Sequence, residues 1–340
     1  MSAPTEARPS LRPAAAFGEL PLPAGVEVLS VELPVGPLTV LRAAAAAHGH
    51  DVPRGTVLLV PGFTGTKEDF TTFLPRLAAA GWDAVAYSQR GQGDSAGPVG
   101  IENYRLPDFA GDTLLVADAV GAGGAVHLVG HSFGGCVARA AAIADPSRFL
   151  SVTLLCSGPH GWPGRHQETT DTVRAGGSIG LWYRDNPDTL GVPDSELDPG
   201  LAFLRLRAER TSPDNLLGGA EILRTDPDTT ELLRATGLPA LVAYGEHDDK
   251  WPLTMQHEAA LGLGAREVAI PGGAHCPHLD GESPVATAVA LSTFWGEVTD
   301  ASFERAEPGA LAAGSAPAPA PEATGAPDDA GASDNAGAPG

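Results

Sequence analysis

The chain has 340 residues, enough for one large domain, and carries 42 acidic against 21 basic side chains for a net charge of −21. That excess of negative charge, with a pI near 4.7, argues against a nucleic-acid partner and against docking on an anionic membrane surface. The cysteines Cys136, Cys156 and Cys276 are odd in number and form no C-x-x-C pair, so they read as reduced thiols of a cytoplasmic protein. No run approaches the roughly 20 apolar residues of a spanning helix, and the N-terminal stretch lacks the apolar core of a signal peptide.

Residues 1–22 are rich in Pro and Ala and are expected to be a flexible leader. Residues 26–33 and 38–45 read as two strands joined at Pro34-Val35-Gly36-Pro37, an antiparallel edge hairpin. Thr56-Val57-Leu58-Leu59-Val60 is wholly apolar after its first residue, the pattern of a strand covered on both faces, and it ends at Pro61-Gly62-Phe63-Thr64-Gly65. Phe70, Phe73, Leu74 and Leu77 predict a helix over 67–80. A strand at 83–87 runs into the loop Arg90-Gly91-Gln92-Gly93-Asp94-Ser95, and a helix is expected over 104–120. Another apolar strand, 125–129, meets the turn Gly130-His131-Ser132-Phe133-Gly134-Gly135 and an alanine-rich helix, with a further strand at 149–156. After Ser157 the rhythm stops. Residues 160–237 show no buried strand and read as a helical lid inserted into the sheet. The pattern then resumes with a strand at 238–244, a helix at 252–261, a strand at 267–270 and a final helix at 284–298.

Alternating strands and helices of this length predict an α/β fold with a doubly wound, mostly parallel sheet. Its core would comprise residues 23–159 and 238–300, and residues 301–340, almost all Ala, Pro, Gly and acidic, would form a disordered tail.

The stretch from 125 to 142 carries the chemistry. Gly130-His131-Ser132-Phe133-Gly134 matches G-x-S-x-G, a serine on a sharp bend between strand and helix. Glycine is needed on both sides because a Cβ would strike the neighbouring backbone at such a corner. A serine hydroxyl needs a base within hydrogen-bond reach and an acid to orient that base, and in an open α/β sheet both must come from loops at the carboxyl ends of strands. Two later segments qualify: Gly245-Glu246-His247-Asp248-Asp249-Lys250 and Gly272-Gly273-Ala274-His275-Cys276-Pro277-His278. Each contains two candidates, Asp248 or Asp249 for the acid and His275 or His278 for the base.

With these four segments in this order (61–65, 90–95, 130–134 and the 248/275 pair), residues 26–298 resemble an α/β-hydrolase-fold enzyme of the lid-bearing, lipase- and esterase-like branch. The resemblance implies Ser132 as nucleophile, His275 as general base and then acid, and Asp248 as the carboxylate that orients it. The oxyanion hole would be the backbone N–H groups of Phe63 and Phe133. Trp162, Trp182 and Tyr183, in the inserted segment, would roof an apolar pocket. The chain departs from the family in having Pro61-Gly62 where His-Gly is common, and Ser88 where aspartate often precedes the R-G-x-G-x-S loop. Neither change removes an oxyanion amide.

The resemblance implies a serine hydrolase acting, without cofactor, on an ester of a small to medium apolar acid through an acyl-enzyme. Alternatives on the same fold are carbon–carbon bond hydrolysis and a non-catalytic ligand-binding protein. A serine at the bend argues against epoxide-hydrolase chemistry, for which related proteins place aspartate there. A metal site built from His247, Asp248, Asp249, His275 and His278 lacks any recognised ligand spacing, so no metal is expected.

Overall fold

A computed structural model of the chain describes residues 8–306. Nine strands form one sheet: β1 (Leu11–Pro13), β2 (Val26–Leu33), β3 (Gly36–Ala43), β4 (Thr56–Val60), β5 (Asp83–Tyr87), β6 (Val126–His131), β7 (Phe149–Leu155), β8 (Ala240–Gly245) and β9 (Arg266–Ile270). Their order is β1-β2-β3-β5-β4-β6-β7-β8-β9. The first three strands and the β3–β5 junction are antiparallel, and everything from β5 across to β9 is parallel. This is the α/β-hydrolase arrangement, a mostly parallel sheet flanked by helices.

The helices are α1 (Leu74–Ala79), α2 (Leu106–Val120), α3 (Phe133–Ala144), α4 (Gln167–Asp185), α5 (Pro199–Arg210), α6 (Pro213–Thr225), α7 (Thr230–Ala235), α8 (Leu253–Leu263) and α9 (Ser283–Ala306). The apolar strand β4 divides its side chains between two layers. Leu58 and Val60 pack in the cluster that holds Phe109, Phe133 and Val137 of α2 and α3. Val57 and Leu59 pack in the other, with Leu74 and Leu77 of α1 and Leu291 and Trp295 of α9. A strand with no polar face therefore has no face in water, and each such side chain contributes about 1.5–3 kcal/mol of burial.

Strand order explains where the chemistry sits. From β4 the chain moves outward to β5, returns to β6 on the other side of β4, and then runs outward through β7, β8 and β9. The reversal leaves a crevice at the carboxyl ends of β4 and β6, the place where open α/β sheets bind ligands. Val60 is paired with Gly130 across that junction, so the 61–65 loop and Ser132 emerge side by side.

Three expectations change. The helix expected over 67–80 is split: a 3₁₀ turn at Lys67–Phe70, entered with the Thr66 amide donating to Asp69 Oδ2 at 3.3 Å, precedes α1. Pro75 is the reason, since it has no N–H to donate to the carbonyl four residues back and its ring crowds that carbonyl, whereas in the first turn of α1 neither matters. The leader expected to be flexible contains β1, which pairs with β2, and Phe17, whose ring lies 5.6 Å from Phe203 and 5.5 Å from the Lys67 ammonium. Leu11 and Phe17 give this stretch apolar anchors that its proline content obscured. The last helix continues to Ala306, beyond the predicted end of the core; the rest of the predicted tail, 307–340, lies outside the described residues, as do residues 1–7. Among the described residues no helix is long and apolar enough to cross a membrane.

Four helices, α4 to α7, occupy the insertion between β7 and β8. Inside α4 the backbone breaks at Gly177, where φ is +68°. A buried ion pair ties the insertion to the core. Arg139 of α3 reaches Asp226 at the end of α6, and also donates to the Gly158 carbonyl at 3.0 Å. Both partners are almost wholly shielded from water.

Candidate active site

Ser132 follows β6 directly and precedes α3, with φ 54° and ψ −119°. This is a strained conformation for a residue with a Cβ, and its amide is held by the Leu155 carbonyl at 2.9 Å. The flanking glycines are sterically required. A Cβ on Gly130 would lie 2.2 Å from the Gly134 oxygen, and one on Gly134 would lie 2.3 Å from the Val60 oxygen.

His275, in the loop after β9, and Asp248, in the loop after β8, converge on that serine. His275 Nε2 lies 2.9 Å from Ser132 Oγ, and His275 Nδ1 lies 2.8 Å from Asp248 Oδ1. Asp248 Oδ1 also accepts from the amides of Lys250 at 2.9 Å and Trp251 at 3.3 Å, while Oδ2 accepts from the Gln256 side chain at 2.9 Å. Burial works to raise the Asp248 carboxyl, but hydrogen bonds and charge from His275, with the Lys250 and Gln256 donors, outweigh it and hold the group below its ordinary value. An ionised Asp248 accepts from His275 Nδ1–H, which leaves the Nε2 lone pair facing the serine hydroxyl.

An unanticipated pair of side chains fixes the loop that carries Phe63. Gln89 donates to the Pro61 carbonyl at 3.0 Å and Gln92 donates to the Gly62 carbonyl at 2.8 Å. In a trans peptide the carbonyl and the following N–H point in opposite directions, so pinning the Gly62 oxygen aims the Phe63 N–H the other way. The Phe63 amide has no acceptor among the described residues. Phe133 is the first residue of α3, where an N–H has no partner within the helix and the helix dipole is positive.

Two further histidines lie against His275. His131 Nε2–H donates to the His275 carbonyl at 2.8 Å, and burial together with the charge of His275 pushes the His131 imidazole down to about 3. His278 is fully buried and stacks on Phe70 with ring centroids 4.8 Å apart; burial lowers it well below the histidine range. Of the two candidate bases His275 alone reaches Ser132, and of the two candidate acids Asp248 alone reaches His275. Asp249 instead pairs with Lys250 at 2.7 Å in solvent.

The five residues considered for a metal form no cluster of three among the described residues. Cys156 Sγ does lie within 4.8 Å of donor atoms of Asp248 and His275. Burial keeps it a thiol by raising it well above its usual value, and both neighbours are engaged with each other.

The serine opens into a cleft of about 740 Å³ walled by the 62–65 loop and by α4 and α5 of the insertion. Trp162 lines it as expected. Trp182 does not: it is buried within the insertion, donating to Thr189 Oγ1 at 3.0 Å, and borders an adjoining hollow that shares Leu181 and Leu204 with the cleft. Tyr183 lines neither. A helix presents successive residues about 100° apart, and Leu181 is the apolar α4 residue that lines the cleft. Phe63, Leu204, Leu223 and Leu279 add further apolar wall.

A sheet reversing at β4, a serine on the turn after β6, and its partners after β8 and β9 define an α/β protein of the hydrolase class. The family model described as the alpha/beta hydrolase fold matches residues 55–282, and the chain belongs to that family. Among curated proteins it is 30% identical over 196 residues to epoxide hydrolase A of Mycobacterium tuberculosis, a match covering 56% of this chain and 60% of that protein's length. It is also 30% identical over 222 residues to 2-succinyl-6-hydroxy-2,4-cyclohexadiene-1-carboxylate synthase of Enterobacter, covering 59% of this chain and 77% of the relative. Among solved structures it resembles one from a study of carboxylesterases of Nitrososphaera gargenis, with a TM-score of 0.63 at 19% identity over 80% of this chain and 99% of the other.

Proposed function

We propose that this protein is a serine hydrolase that cleaves a carboxylic ester of a small to medium acid through an acyl-enzyme. The observation that carries the reading is the unbroken relay from Ser132 Oγ through His275 to Asp248, with contacts of 2.9 and 2.8 Å. In this mechanism His275 Nε2 takes the hydroxyl proton as Ser132 Oγ attacks the carbonyl carbon, and the new oxyanion is held by the Phe63 and Phe133 amides. Collapse of the tetrahedral intermediate breaks the ester C–O bond, and the departing alkoxide leaves as an alcohol with the proton from His275. A water then attacks the acyl carbon, passing its proton to Nε2, and the acid departs as Ser132 regains its hydrogen. Asp248 stays ionised throughout and stabilises the imidazolium. No cofactor enters this sequence.

The inserted helices act as a lid in this reading, with Trp162, Leu181, Leu204 and Leu223 shielding the acyl-enzyme from bulk water. Epoxide hydrolases are among the relatives, but the residue at the bend here is serine, which forms an ester intermediate with a carbonyl substrate. A fluorophosphonate probe tests the reading: wild type is labelled stoichiometrically and Ser132→Ala is not. A folded wild type that resists labelling and turns over no ester of a graded 4-nitrophenyl series would overturn it.

A further inference from the structure

The cleft over Ser132 contains an uneven set of charges. Its cations are Arg165, Arg184, Arg207 and Lys250, and its carboxylates are Asp69, Asp185 and Asp249. These sort into pairs: Arg207 with Asp69 at 2.6 Å, Arg184 with Asp185 at 2.7 Å, and Lys250 with Asp249 at 2.7 Å. Arg165 is left over. It makes no ion pair with any described residue, in a chain whose acidic side chains outnumber its basic ones two to one.

Arg165 is nonetheless held in place. Its guanidinium carbon lies 3.9 Å from the centroid of Trp162 and 4.0 Å from that of Trp251, so the cation sits in the corner made by two indoles that meet each other edge-on, 5.3 Å apart. Its Nη2 donates to the Lys250 carbonyl at 3.3 Å, tying it to the loop that supplies Asp248. Nη1 is shielded from solvent and has no acceptor. Burial lowers this guanidinium to about 10, which still leaves it charged at neutral pH. A fixed, partly buried and unneutralised guanidinium on the cleft wall is a preorganised receptor for a carboxylate, and the ring contacts supply part of the stabilisation that hydration gives elsewhere.

We infer that Arg165 is a specificity determinant, and that the preferred substrate is an ester whose acid portion ends in a second, ionised carboxylate: the monoester of a dicarboxylic acid. This rests on the serine-hydrolase reading and narrows it. The apolar wall of Phe63, Trp162, Leu181 and Leu204 accommodates the methylene chain, and Arg165 receives the anionic end. A lone carboxylate approaching so acidic a protein would be repelled over most of its surface, so a committed cation in the cleft is what such a substrate requires.

The test compares monomethyl with dimethyl esters of succinic through suberic acid, followed by acid release. At its best chain length wild type prefers the monoester by about 10- to 100-fold in kcat/KM, the discrimination expected of a charge-assisted hydrogen-bonded contact. Arg165→Gln lowers the ratio of monoester to diester kcat/KM to near one, mainly through the monoester's KM, and Arg165→Lys restores part of the ratio. Should Arg165 be only a brace between the two indoles, both esters fall together in Arg165→Gln, and the inference is lost. Wild type supplies an independent readout, since the free dicarboxylate should inhibit diester hydrolysis competitively and far more strongly than the matched monocarboxylate. Equal inhibition, or a diester preference at every chain length, also overturns the assignment while leaving the hydrolase reading intact. Absence of both turnover and fluorophosphonate labelling instead sinks the hydrolase reading and this one with it.

Discussion

Gln92 donates its side-chain amide to the carbonyl oxygen of Gly62 across 2.8 Å, and together with the Gly65 amide, which donates to the same oxygen at 3.2 Å, it sets which way the next amide points. The 90–95 loop is therefore more than a turn beside the site. Replacing Gln92 by Ala removes the shorter of the two donors that hold the Gly62 carbonyl and loosens the aim of the Phe63 N–H. Because that donor works mainly in the transition state, kcat should fall by about 10- to 100-fold while KM changes little, somewhat less than the ~10²–10³ for outright loss of an oxyanion donor. Steady-state kinetics on a soluble ester check this. A variant with unchanged kcat would show that the loop holds its direction without the glutamine.

Asp248 and Asp249 are adjacent in the chain and opposite in fate. Asp248→Asn removes the charge that supports a protonated His275, and activity should fall by about 10²–10⁴-fold. Asp249→Asn disturbs only a solvent-exposed pair with Lys250 and should leave kcat within about 3-fold. The ratio of the two kcat values is the measurement. Similar losses in both would reassign the acid.

The buried pair of Arg139 and Asp226 makes a stability prediction. Burial raises the Asp226 carboxyl, while the charge and hydrogen bond of Arg139 pull it back. Arg139→Met strands a carboxylate away from water and should cost about 3–5 kcal/mol in urea unfolding, whereas Arg139→Met combined with Asp226→Leu should recover much of that loss. Equal destabilisation in the single and double variants would locate the effect in the Gly158 contact instead.

Three buried histidines set the acid limit of the fold. Burial lowers His127 and His131 to about 3 and His278 well below the ordinary 6.5. The native state holds each neutral, so below pH 6.5 the unfolded chain binds protons that the folded chain does not. Stability is thus fully present above pH 6.5 and declines as pH falls toward about 3, by ~1.4 kcal/mol per pH unit for each group. Urea midpoints at pH 7.5, 6.5 and 5.5 test the slope. His166, which burial lowers to about 4, adds the same slope over this range. His127→Gln, removing a histidine that bonds Ser151 at 2.7 Å and Thr299 at 3.1 Å far from the serine, should therefore shallow the decline by about one quarter. A midpoint flat from pH 6.5 to 5.5 would contradict this account.

How much of this was legible follows from the range of each interaction. The serine turn could be read because its demands are local: glycines two residues to either side, an apolar strand before, a helix after. The partner loops could be read because each directly follows an apolar strand. Gln92, Gln256, Arg139 and Arg165 could not. Their partners lie on other elements, and a glutamine or arginine in sequence has no mark that says which carbonyl, carboxylate or ring it will meet. Trp182 and Tyr183 were misjudged for a related reason. Composition showed that the insertion was aromatic, but the face each residue presents depends on how α4 is rotated. The nearest sign of Arg165 was its place three residues after Trp162, which shows its worth only once Trp251 meets that ring edge-on and completes the corner.

The backbone at Ser132 carries one more implication. With φ at +54°, the position would be at ease with glycine, which has no Cβ to strain. Ser132→Gly should consequently raise the unfolding free energy by about 1 kcal/mol, where Ser132→Ala should not. If so, this polypeptide would be a sturdier object once disarmed, and the tension in that single residue is a standing tax that only the usefulness of its hydroxyl could keep in place over generations of mutation.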